Sequence, residues 1–384
     1  MSGSDYDTKY LKVLDGIRAL AIIIIVWFHL WQQSWLMPNF GFINLDFIPR
    51  YGFLLVDLMI LISSFCLFIP YARVIVYKEK MPSTKEFYIK RMARIMPSYY
   101  LALIISVIFI IIAGNGFSSF FLKDTLMHIF FVNNWSTDTL LYTSYCGVLW
   151  TVALEVQFYI IFPFIAKSFV KRPVISYIVM MIIGLIGTYF VQQSINNFNI
   201  GYYVNHFFTF ISVYANGILA SWFYVSYTKN KKRTKESDLF FMVVSIFTVI
   251  LYCYLAKSIG VDNIQLWQVN NRLLLSFVFM VFIISTLLAS KIYQKLFNNK
   301  FMKFIATISF NLYIYHFFIA IKLKEFRIPY YSGSTEPYLL GDKNWQITYF
   351  ILCVVISIIV AVIITYLVEK PCAKLIRKKF KIKE

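Results

Sequence analysis

Residues 13–33 read VLDGIRALAIIIIVWFHLWQQ, and that stretch decides what kind of protein this is. Twenty-one residues of α-helix rise about 32 Å, the thickness of a bilayer's hydrocarbon core. A run this long and apolar, broken only by Asp15, Arg18 and His29, predicts a membrane-spanning helix. It does not read as a cleaved leader, because it is too long, charges interrupt it, and no small-residue cleavage site follows.

Working outward, the pattern recurs near 52–72, 97–113, 147–167, 173–192, 205–226, 238–257, 270–289, 301–321 and 347–367. The expected architecture is therefore an all-α, polytopic membrane helical bundle of about ten helices, forming a single membrane domain over residues 1–384. The stretch 117–132 is apolar but short, and Lys123 and Asp124 interrupt it. It is expected to be re-entrant or interfacial. Composition agrees with this: 60% of residues are hydrophobic and only 14% are charged, with a mean hydropathy of +0.68. A soluble domain needs more polar surface.

The basic residues test the topology. With ten spans and both termini in the cytoplasm, eight of the 37 Lys and Arg fall outside: Arg50, Lys123, Lys257, Arg272, Lys322, Lys324, Arg327 and Lys343. Arg18 lies within the first span, and all the others fall inside, as the positive-inside rule requires. The net charge of +19 then reports orientation and attraction to anionic lipid, not nucleic-acid binding. Lys229–Lys235 and Lys374–Lys383 read as cytoplasmic anchors. Five cysteines show no metal spacing, and neither a metal nor a disulfide framework is expected.

Ionisable side chains inside spans are costly and face a cavity or a partner. Here they are Arg18, His29, Asp57, Glu155 and His316. Helical rise places His29 and His316 roughly 22–24 Å from the inner surface, and Asp57 and Glu155 roughly 8–12 Å below the outer one. Arg18 sits near the inner interface, at the level of Arg91 and Arg94. Two polar layers result. The cationic inner layer suits a phosphate-bearing ligand, and the outer layer of imidazoles and carboxylates suits proton transfer. This reading requires the first, second, fourth and ninth helices to share a cavity. Bland readings stand beside it. Asp57 and Glu155 also suit helix–helix hydrogen bonding, His316 an aromatic belt, Arg91 and Arg94 simple anchoring, and His128 and His206 interfacial structure. Glu369, before Lys370 and Pro371, reads as a helix stop.

Five segments in order resemble the membrane acyltransferase family 3, which includes exopolysaccharide and cell-wall O-acetyltransferases. They are Leu14-Asp15-Gly16-Ile17-Arg18 with Phe28-His29; FYIKRMARIMP at 87–97; Leu149 to Glu155 with Phe158-Tyr159 and Pro163; Ile308 to His316; and Tyr366-Leu367-Val368-Glu369-Lys370-Pro371. In the second span, Leu55 to Phe65 keeps the family's Asp and Ser as Asp57 and Ser63. It replaces two glycines and a paired Phe, so the resemblance does not fix the acyl chain length.

The resemblance implies transfer of an acyl group, acetyl by the resemblance, from cytoplasmic acyl-CoA to a hydroxyl of an extracytoplasmic or lipid-linked glycan, in a bacterial plasma membrane. It implies catalytic roles for His29, Asp57 and Glu155. Arg18, Arg91 and Arg94 would hold acetyl-CoA, and Trp150, Tyr313 and His316 would contact substrate. His29 would serve either as general base, polarised by Asp57 or Glu155, or as a transiently acylated group. Many relatives carry an added hydrolase-like domain of the SGNH type. Without it, transfer is expected to finish within the membrane domain or on a partner, such as a second copy or a polysaccharide-synthesis protein. A glycan transporter or flippase, and a catalytically silent assembly partner, remain as rival readings.

Overall fold

The computed structural model describes residues 6–7, 11–41, 43–112, 114, 118–194, 200–260 and 264–382. Among them, ten helices are long and apolar enough to cross a membrane. These are α1 (Lys12–Ser34), α2 (Leu55–Tyr77), α3 (Thr84–Ile112), α4 (Trp150–Lys171), α5 (Pro173–Gln193), α6 (Phe207–Thr228), α7 (Lys235–Lys257), α8 (Ile264–Leu288), α9 (Lys300–Glu325) and α10 (Lys343–Ile364). Side chains bind the orphan N–H groups at several starts: Asn299 for α9, Asp342 for α10, and a reciprocal Thr234–Ser237 pair for α7. Trp35 and Lys78, both at positive φ, end α1 and α2.

α6 forms the centre of the bundle, with an unbroken buried stretch from Thr209 to Gly217. It packs on α2 at close range. A Cβ added at Gly217 would lie 1.9 Å from Ser64 Oγ and 2.5 Å from the Leu61 carbonyl oxygen. Membrane helices gain little from the hydrophobic effect against one another, so close backbone approach at small residues supplies the packing. α1 lies against α9, and α9 against α10. α5 and α7 turn apolar flanks outward, including Ile186, Phe247 and Ile250, as helices facing lipid should.

The structure corrects several boundaries. α3 begins at Thr84, about three and a half turns before its predicted start. Pro97 is interior, so Arg91 and Arg94 belong to the helix itself. α8 begins at Ile264, which sets Arg272 about two turns inside the helix rather than at its outer end. α10 does not stop at Glu369. A π-turn over Thr365–Glu369 leads into a helix over Lys370–Lys379. Pro371 would press on the carbonyl four residues earlier, and the wider turn relieves that clash. The stretch 117–132 contains a short helix, Ser119–Ile129, with Phe121, Asp124 and His128 buried and Leu122 and Leu126 exposed. Its predicted first residue, Phe117, lies outside the described residues, as does Lys383 of the basic tail. A two-residue antiparallel pairing, Asn39–Phe40 with Ile43–Asn44, follows α1.

Candidate active site

Helical spacing aligns the functional side chains. On α1, residues 18, 22, 25 and 29 share one face. The first three, Arg18, Ile22 and Ile25, line a cavity of about 110 Å³. α2 contributes Ser63 and Cys66, α3 contributes Arg91 and Arg94, α4 contributes Thr151, Glu155 and Tyr159, and α9 contributes Ser309 and Tyr313. Helices far apart in sequence thus bring Arg18, Arg91, Arg94, Glu155 and Tyr313 around one space.

The charges in that space are incompletely paired. Arg18 reaches Asp15 at 3.4 Å and Cys66 Sγ at 3.8 Å. Arg91 lies 5.8 Å from the Tyr159 ring centre, and its buried Nε has no hydrogen-bond partner among the described residues. Arg94 is within electrostatic reach of Glu155, Glu369 and Tyr159, with no ion pair among the described residues. Glu155 Oε1 accepts from Ser63 at 2.8 Å and also from the Tyr159 hydroxyl. Those two bonds fix the carboxylate and leave Oε2 without a protein hydrogen bond among the described residues. A group of guanidinium donors around a small cavity is suited to phosphate or another anion.

His29 and His316 are not part of that lining. They lie one turn beyond Ile25 on α1 and just beyond Tyr313 on α9, with ring centres 5.2 Å apart. Tyr313 lines the cavity on one side and packs against His316 on the other. The Tyr313 hydroxyl lies 2.9 Å from Thr151 Oγ1, and its ring lies 5.8 Å from His316. His316 Nδ1 faces the carbonyls of Leu312 (3.0 Å) and Tyr313 (2.8 Å). Carbonyls only accept, so Nδ1 carries hydrogen and the Nε2 lone pair is free. Nε2 is buried and has no partner among the described residues. His29 is half-buried, with Nδ1 3.2 Å from Gln32 Oε1, which leaves its Nε2 as the basic atom in the same way.

Neither carboxylate touches His29 as expected. Asp57 is held at 3.1 Å by Arg272, which also donates to the Val204 carbonyl and Thr209 Oγ1, each at 2.7 Å. Trp150 packs on Phe210, with ring centres 6.1 Å apart, and lies outside the cavity lining. His128 pairs with Asp124 at 3.1 Å, fully buried, beneath Tyr145, and His206 stacks on Phe208. Burial pushes the Cys146 thiol up to about 11, so it remains a neutral donor to the Ile314 carbonyl and not a thiolate nucleophile.

Sequence reasoning missed two features. Arg272, at the outer edge of the predicted span 270–289, reads as one of the outer basic residues, although a buried Asp57 demands a counter-charge. Glu369 accepts from Asn311 at 2.6 Å, and Asn311 also donates to Thr365 at 2.8 Å. The π-turn thereby directs Glu369 toward Arg94 instead of ending the helix, and only its place in the closing motif marked it.

Comparison with known proteins points the same way. The family model described as "Acyltransferase domain" matches residues 11–366. The chain is 24% identical over 382 residues to O-acetyltransferase OatA of Staphylococcus aureus, covering 96% of this chain and 58% of that protein. It is 24% identical over 330 residues to Peptidoglycan O-acetyltransferase OatA of Listeria monocytogenes, covering 81% and 50% respectively. The chain thus spans a little over half the length of these relatives. No solved structure matches it.

Proposed function

Because this chain belongs to the acyltransferase-domain family and is a multi-pass membrane protein, we propose that it is an O-acyltransferase. It moves an acyl group, with acetyl as the simplest case, from cytoplasmic acyl-CoA to a hydroxyl of a glycan across the membrane. The observation that carries this reading is the single cavity where Arg18, Arg91 and Arg94 meet Glu155 and Tyr313, one turn short of the His29–His316 pair. The bias of basic residues supports an inner position for the arginine end.

The arginines bind the donor's phosphates by charge-assisted hydrogen bonds. The slim thioester arm runs along the 18–22–25 face of α1, and Oε2 of Glu155 accepts from an amide N–H of that arm. A small movement of the Tyr313 side chain brings the thioester carbon beside the imidazoles. His29 Nε2 takes the proton of the acceptor hydroxyl, and the oxygen attacks the thioester carbon. The C–S bond then breaks, and the thiolate leaves with the proton returned by the imidazolium. His316, whose Nε2 has no protein partner among the described residues, is the neighbouring base able to share that proton. Asp57 is assigned to structure in this scheme, because Arg272 neutralises it.

The test uses the full chain in proteoliposomes with labelled acetyl-CoA on one side and glycan acceptors on the other. Wild-type protein should produce labelled ester on the glycan, and His29→Ala should produce none while remaining folded. Ester formation undiminished in His29→Ala would overturn the mechanism. Glycan crossing the membrane unmodified would favour the transporter reading.

A further inference from the structure

A second space in the bundle has no part in donor binding. It is an apolar groove of about 990 Å³ between α1, α9 and α10. Val26 and Leu30 line it from α1, Ile305 and Leu312 from α9, and Phe350 and Val354 from α10. Along α10 the lining runs from Lys343 to Ile358, roughly 22 Å of helix. That length suits a long hydrocarbon chain laid parallel to the bundle.

Two observations indicate what fills it. The groove's polar lining is confined to one end, where Asn39 and Lys343 stand at its mouth. Lys343 is exposed and has no ion-pair partner among the described residues. The neighbouring carboxylate of Asp342 is turned back to cap the Trp345 N–H at 3.1 Å, and the start of α10 adds its own positive end. The mouth therefore favours an anionic headgroup.

The groove also passes close to the imidazoles. Residues 305, 312 and 316 share one face of α9, so the buried His316 lies one turn beyond the groove-lining Leu312. The adjacent residue, Tyr313, lines the arginine cavity instead. Val26 precedes His29 by one turn, and Leu30 follows it. The His29–His316 pair thus lies within about one helical turn of both linings, the groove's at Leu30 and Leu312 and the cavity's at Ile25 and Tyr313, with His29 half-exposed.

We propose that this groove seats a single-chain, phosphate-headed lipid that carries the acceptor sugar. The chain lies between α9 and α10, the phosphate lies at Lys343 and Asn39, and the sugar folds over the bundle end toward His29. The proposal rests on the acyltransfer reading for the sugar's fate, but its lipid-binding claim can be tested separately.

Binding of a polyprenyl phosphate to the full chain in detergent is measured by native mass spectrometry against two competitors, the matching polyprenol and phosphatidylglycerol. Wild-type protein should prefer the polyprenyl phosphate to both. Lys343→Gln should weaken it about fivefold, the worth of one lysine at an anionic headgroup, and leave polyprenol binding unchanged. Val354→Trp, which fills the groove, should weaken both polyprenyl probes more than tenfold. Acetyl-CoA affinity in both variants should match wild type, which shows that they are folded. Should Val354→Trp fail that check, Lys343→Gln and the wild-type competition decide. Equal binding of polyprenol and polyprenyl phosphate by wild type, an unchanged affinity in the folded variants, or equal competition by phosphatidylglycerol would overturn the proposal. Selective binding with no acetyl transfer to any glycan would leave the groove assigned and overturn the enzymatic reading instead.

Discussion

Two sets of buried charges in this bundle have opposite fates. Asp57 and Arg272 lie within 3.1 Å of each other, exposed by 0% and 2%, and the arginine's other contacts are spent on Val204, Thr209 and the Phe210 ring. Neither residue lines the cavity. Arg91, Arg94 and Glu155 surround space, and each arginine lacks an ion-pair partner among the described residues. By sequence Asp57 and Glu155 look alike, as carboxylates where hydrocarbon should be. A buried charge that has found its counter-charge holds helices together. Charges that line a cavity without a counter-charge are placed to meet a ligand.

The sharpest way to break this contrast is to remove each set in turn. Arg91→Ala combined with Arg94→Ala should weaken acyl-CoA binding at least about a hundredfold, since charged hydrogen bonds contribute about 1.5–3 kcal/mol each. Thermal stability should change little. Calorimetric titration checks the first and a melting curve the second. Undiminished donor affinity would reduce these arginines to membrane anchors.

The converse experiment concerns Asp57. Asp57→Leu strands Arg272 in the interior and should cost about 3–5 kcal/mol of stability, with much of it restored by adding Arg272→Met. Donor affinity of the folded protein should be untouched throughout. If the single substitution melts like wild type but abolishes transfer, Asp57 is catalytic and the division between the two regions fails.

Much of this was legible beforehand, and what was not has physical causes. Length and hydropathy report where a helix can cross a bilayer, so ten spans follow from the runs of apolar residues. Spacing on a helix also predicts that residues 18 and 29 share a face. Hydropathy says nothing of where a polar helical turn begins, so it reads α3 and α8 too short and leaves Arg272 at the outer end of its span. It says nothing of partners across a bundle either. The pairing of Asp57 with a side chain 215 positions away, and of His29 with His316, depends on helix rotation that only packing decides. The π-turn at Thr365–Glu369 escaped because Pro371 argues locally for an ending, while Asn311 on another helix holds the turn in place.

Smaller effects sharpen the boundary of the site. Glu369→Gln keeps a partner for Asn311 but removes the charge near Arg94. It should change donor affinity several-fold, about 1 kcal/mol, with melting unaltered. Asn311→Ala should instead lower the melting point, because it frees the π-turn. Thr151→Val removes the hydroxyl 2.9 Å from Tyr313. Loosening Tyr313 should alter kcat by less than about fivefold and leave the donor KM unchanged. A KM effect without a kcat effect would place Tyr313 in donor binding alone.

In the proposed mechanism the arginine cavity and the imidazole pair are two ends of one reaction path, separated by the Tyr313 side chain. Its most direct test is a structure of the full chain with a non-hydrolysable acetyl-CoA analogue bound. Phosphate density should lie against Arg91 and Arg94, with Tyr313 swung aside and the acyl carbon within reach of His29 and His316. An analogue bound elsewhere, or an acyl end still walled off from both imidazoles by an unmoved Tyr313, would contradict it.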